Sequence, residues 1–203
     1  MRAIELPFAF QRFSELDGAL EFVVFEDTQG DRASALAAIC AAIPGTDQNK
    51  LGTLGCRRID DAAFYGDWYD AETKSLLLRG TYATQDGRTL TDPRLRDLDG
   101  VKIAHGGGPI PEAGAGGQFA YAFSWTPYGL QARPTEVQSL FDAIQEFLLP
   151  PGLQHEILDW ANPRLPDASA YFRAGMEWWG VFLFTVYLPA IKRLTVIAGS
   201  TTD

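Results

Sequence analysis

The chain has 203 residues, enough to bury about 70% of its unfolded surface without disulfide or metal staples. Its 17 Lys and Arg stand against 26 Asp and Glu, a formal charge of −9, which opposes a phosphate backbone, disfavours nucleic acid and favours a basic partner. With 46% hydrophobic and 21% charged residues the composition is that of a globular protein, so one domain over residues 1–203 is expected.

The first ten residues, MRAIELPFAF, carry Glu5 and Pro7 and no continuous apolar run. No signal peptide is read from them, and a cytoplasmic location is expected. Leu20–Glu26 reads as a strand. Asp31 is placed to cap a helix from Arg32 to Ile43, with Leu36, Ile39, Cys40 and Ile43 on one face, and Pro44-Gly45 ends it. Cys40 lies on that apolar face, so a buried thiol is expected rather than a bond to Cys56.

Gly52–Ile59 is a weak strand candidate and Leu76–Thr84 a better one. Gln85–Gly117 is polar and glycine-rich, too long for an ordinary connection, and is expected to be a loop. Phe119–Trp125 alternates rings with Ala120, Ala122 and Ser124, which predicts a strand. Thr135 and Gln138 match a capping box opening a helix to Leu148 or Leu149, with Val137, Leu140, Phe141, Ile144, Phe147 and Leu148 as its apolar stripe.

The C-terminal stretch holds the longest apolar run. From Trp178 to Leu188 both alternating sets are apolar, as in a strand covered on both faces. The run breaks at Pro189, Lys192 and Arg193, short of the roughly 20 apolar residues of a membrane span. It predicts an antiparallel hairpin with Arg193–Ala198, turning at Pro189–Lys192. Two principal amphipathic helices against five or six strands give α+β, with a mainly antiparallel sheet and a C-terminal core hairpin.

Few residues point to chemistry. His105-Gly106-Gly107-Gly108 resembles the HGGG oxyanion element of lipases and esterases, but no Gly-x-Ser-x-Gly nucleophile elbow accompanies it. His155-Glu156 begins like a zincin helix, yet Asp159 stands where the second His belongs. Gly114-Ala115-Gly116-Gly117 lacks the final glycine of a dinucleotide fingerprint and the Lys-Ser/Thr of a P-loop. No metal site and no cofactor are expected.

Two functional readings follow. Asp60, Asp61, Asp67, Asp70 and Glu72 are interleaved with Phe64, Tyr65, Trp68 and Tyr69, with no basic residue among them. Acids steer a basic partner, and the rings, if exposed, would anchor it; the other reading is an acidic loop whose rings face this protein's own core. The leading expectation is therefore a small acidic cytoplasmic binding protein for a basic protein partner, an immunity-type protein neutralising a toxin being one concrete form. The alternative is a carboxylate-dependent hydrolase or transferase, with Glu177 beside Trp178 as acid, Asp159 as its partner, and Gln85–Gly117 as a lid.

Overall fold

A computed structural model describes residues 1–109 and 118–201. In chain order its elements are β1 (Arg2–Ala3), α1 (Phe8–Glu15), β2 (Glu21–Glu26), α2 (Arg32–Ala42), α3 (Gln48–Leu54), β3 (Arg57–Ile59), α4 (Asp61–Tyr65), β4 (Tyr69–Asp70), β5 (Ser75–Leu76), β6 (Thr81–Thr84), β7 (Thr89–Thr91), β8 (Ile103–Gly107), α5 (Phe119–Ser124), α6 (Pro134–Leu148), β9 (Glu156–Asp159), α7 (Leu165–Ala168), β10 (Val181–Leu188) and β11 (Arg193–Ser200). The main sheet runs β1-β2-β11-β10-β9-β3, every neighbouring pair antiparallel. The fold is α+β.

The hairpin β10–β11 lies at the centre of that sheet, and its registry runs from Val181 opposite Ser200 to Leu188 opposite Arg193. Side chains alternate across a strand, so a strand apolar on both sides requires cover on both sides. Phe182, Phe184 and Val186 enter one core with α1, α4, α5 and α6. Val181 and Leu183 enter the other with α2, α3, α7 and Phe172. On that second face Thr185 is buried, its hydroxyl accepting the Trp160 indole N–H at 3.0 Å. Among the described residues no helix is long and apolar enough to cross a membrane.

Residues 119–125 are where local pattern misleads. They form helix α5, not a strand, and Phe119 to Phe123 are all fully buried. Rings at 119, 121, 123 and 125 are two apart, as a strand face requires, but 119/123 and 121/125 are also four apart, as a helix face requires. Tertiary packing decides. Phe119 stacks on Phe64 at 4.7 Å and Phe123 on Phe13 at 4.3 Å, while the Tyr121 hydroxyl donates to the Trp179 carbonyl at 3.2 Å. Burial pushes that phenol up to about 12, so it remains a donor at any ordinary pH.

Other boundaries move for similar reasons. Gly52 to Leu54 end helix α3, whose cap is Asp47, so only Arg57–Ile59 is strand. Leu76–Thr84 divides into β5 and β6. Much of the expected loop after Gln85 is ordered chain: β7 and β8 flank β6 in a second sheet, with a 3₁₀ turn at Leu95–Asp97 between them. The expectation for residues 110–117, Gly114-Ala115-Gly116-Gly117 included, lies outside the described residues. The HGGG glycines belong to this small sheet and its end. A Cβ on Gly108 would stand 1.7 Å from the Arg79 carbonyl oxygen, so close backbone approach accounts for that glycine.

Helix α6 starts at Pro134, and its expected capping box is not formed. The Thr135 N–H and hydroxyl both donate to Asp99, at 3.1 and 2.6 Å, which caps the helix from a distant loop and holds the Asp99 carboxyl below its ordinary value. Gln138 is buried instead, its Oε1 accepting the Leu76 N–H at 2.8 Å. Cys40 and Cys56 are free and half-buried, and burial pushes both thiols up.

Candidate functional site

Residues 60–72 sort by chemistry as they fold. Asp60 caps α4, its carboxylate accepting the Ala63 N–H at 2.8 Å. One short helical turn then directs Phe64 and Tyr65 inward. Phe64 is fully buried and lies edge-on to Phe184 of the central strand at 5.3 Å. Trp68 is buried against Tyr121 and Trp125. Gly66 makes the exit possible: its φ is +70°, and a Cβ there would stand 2.0 Å from the Gln118 side chain, which accepts the Asp67 N–H.

Of the two readings of these rings, the core-facing one holds for Phe64, Tyr65 and Trp68. Phe64, Tyr65 and Trp68 face this protein's own core, because α5 and β10 offer them a dry surface. Tyr69 is half-buried. Of the acids, Asp60 is committed to its cap. Asp70 is committed to a turn, accepting the Glu72 N–H at 3.0 Å and bonding the Thr73 hydroxyl, which holds its carboxyl below the ordinary value. Asp61, Asp67 and Glu72 remain exposed.

Asp61 and Asp67 edge a cleft of about 700 Å³ between α4, the turn that follows it, the end of α6 and the Pro150–Leu153 connection. At one end His155 Nε2 stands 2.7 Å from Asp61 Oδ1, tying α4 to the chain entering β9. Tyr65 and Tyr69 form one wall, their ring centroids 4.6 Å apart. The Tyr69 hydroxyl meets the Gln145 amide at 3.4–3.5 Å. Burial pushes both phenols upward, Tyr65 strongly, so both are neutral hydrogen-bonding groups. Leu149 and Pro150 supply apolar surface, and among the described residues Lys74 is the one Lys or Arg in the lining.

The cleft continues on both sides. His155 and Leu153 also border a hollow of about 750 Å³ containing Arg58 and Glu156. Lys74, Gln145 and Leu149 also border one of about 420 Å³ containing Arg96, Asp142 and Glu146. No serine, threonine or cysteine lines the central cleft among the described residues, so it lacks the usual hydroxyl and thiol nucleophiles.

The two carboxylates of the catalytic alternative sit in different settings. Asp159 is buried in β9, opposite Phe184. Its Oδ2 accepts from Arg57 Nε and Nη2 at 2.9 and 2.7 Å, and its Oδ1 from the Ala161 N–H at 2.9 Å. Glu177 is exposed, just past the 3₁₀ segment Ala170–Met176 that precedes β10. The resemblance to a zincin helix also fails, because Glu156–Asp159 is a strand and Asp159 is held by Arg57. Among the described residues no group of three or more His, Cys, Asp or Glu is arranged to hold a metal ion.

Sequence reading missed His155, Gln145, Lys74 and the Pro150–Leu153 wall as parts of this site. Pro150-Pro151-Gly152 signalled only the end of a helix. Nothing local signals that His155 meets Asp61, 94 positions away. No family model, curated protein or solved structure matches this chain.

Proposed function

We propose that this chain is a small acidic cytoplasmic binding protein that engages a basic protein partner at the rim of the 60–72 cleft, an immunity-type protein that neutralises a toxin being its concrete form. One observation carries the reading: the segment buries Phe64, Tyr65 and Trp68 while leaving Asp61 and Asp67 exposed around a concave surface, with Glu72 exposed beside them in sequence. Rings in the core fix the backbone, and a fixed backbone holds the carboxylates in place for a cationic surface. The overall charge of −9 adds long-range attraction to the same partner. The hydrolase or transferase alternative draws no support from this cleft, since Asp159 is held by Arg57 and neither it nor Glu177 is in the lining.

The test is purification of the tagged chain from its native cell at low and high salt, beside an Asp61→Lys, Asp67→Lys, Glu72→Lys variant. A basic protein should co-purify in stoichiometric amount and be lost at high salt. The variant should associate at least about tenfold more slowly while remaining folded. A partner that binds wild type and variant equally, or no stoichiometric protein partner, overturns the reading.

A further inference from the structure

We propose that the cleft receives an arginine side chain of the basic partner; this rests on the reading above and names the group recognised. Its volume, about 700 Å³, falls among clefts of roughly 300–1,000 Å³ that accept small ligands. The lining supplies a partner for each part of such a side chain lying along the cleft. Leu149 and Pro150 offer apolar surface to a three-carbon stem, and Tyr69 and Gln145 line the same cleft as neutral hydrogen-bonding groups. The carboxylates stand at its exposed edge. Asp67 is exposed there, and Asp61, held through Oδ1 by His155, has Oδ2 for a second donor.

Charge selects against the other ligand classes. A phosphate or carboxylate would meet Asp61 and Asp67. Lys74 would oppose a cation, but Asp142 and Glu146 flank it in the adjoining hollow. Along the continuous groove four carboxylates, Asp61, Asp67, Asp142 and Glu146, face two cations, Lys74 and Arg96. Arginine fits better than lysine for two reasons. Its guanidinium is planar and weakly hydrated, so it leaves water at small desolvation cost. Its five N–H donors also reach a carboxylate and a neutral acceptor such as Gln145 together.

The inference is tested without knowing the partner. Acetyl-arginine amide, acetyl-lysine amide and acetyl-citrulline amide are titrated into the intact protein at low salt, with the ring signals of Tyr69 and His155 followed by NMR. Arginine should shift both signals, with Kd about 1 mM. Lysine should bind several-fold more weakly, and the uncharged citrulline at least about tenfold more weakly. Asp67→Asn should weaken arginine about tenfold with melting unchanged. Equal shifts from citrulline, equal binding of lysine, or no movement of the cleft signals overturns the inference. If a basic protein co-purifies through Asp61 and Asp67 while the arginine probe leaves the cleft unmoved, side-chain insertion is wrong and the partner reading stands. If the probe binds at the cleft but no partner is retained, the arginine site stands and the partner reading falls.

Discussion

The β10–β11 hairpin and the 60–72 segment are both rich in rings, and they use them differently. In the hairpin, alternation sends apolar side chains to both faces of the sheet, and both faces are covered, so most positions serve the core. In the 60–72 segment a short helix and a glycine exit sort residues by type. Phe64, Tyr65 and Trp68 turn inward, while Asp61, Asp67 and Glu72 turn outward. A region consumed by packing leaves no chemistry to spare. A region buried on one side only holds a rigid, charged surface at no further cost to the fold.

The comparison breaks most visibly at the hairpin. Phe184→Ala empties a fully buried site facing Phe64, and should lose about 3–5 kcal/mol in urea unfolding. A loss below about 1 kcal/mol would mean the centre of the sheet is not the stability core.

Next is Asp159→Ala. It removes the acceptor of two Arg57 bonds and leaves the Ala161 N–H unpaired, which should cost about 2–3 kcal/mol. Full stability in that variant would return Asp159 to the pool of functional carboxylates.

Within the acidic segment, two neighbouring aspartates should part company. Asp60→Ala loses a helix cap and should cost about 1 kcal/mol. Asp67→Lys should change stability by less than about 0.5 kcal/mol while slowing partner association. If both prove equally destabilising, the division between capping and steering acids is wrong.

The smallest effect is pH-dependent. The Thr135 bonds lower the folded-state Asp99 value from its ordinary 3.8. A lowered carboxylate contributes stability that is present above the unfolded value and lost as pH falls through the folded one. The gap between wild type and Asp99→Asn should therefore be full at about pH 5 and close towards about pH 2 in urea midpoints. A gap that is constant with pH would show that the carboxylate charge plays no part in the cap.

How much was legible follows from the range of the forces involved. Helix α6 was readable because its long amphipathic period repeats, α2 because Asp31 and Pro44-Gly45 mark its ends, and the hairpin because both of its alternating faces are apolar. Asp31 was readable as a cap because its partner, the Ser34 N–H, is three residues away. Residues 119–125 were not, because rings at every second position satisfy strand and helix alike. The capping box at Thr135 misled because Asp99 reaches in from 36 positions away and takes the Thr135 N–H and hydroxyl.

The sequence by itself determined the α+β class, the doubly covered hairpin, the net charge of −9 and the presence of an acidic-aromatic segment. Only the tertiary structure decided which of that segment's side chains face outward and what stands opposite them. Periodicity and capping act within a few residues, so sequence carries them openly. A cleft whose walls come from α4, the end of α6 and His155 exists only once the core has drawn distant segments together, and burial of the rings is what draws them.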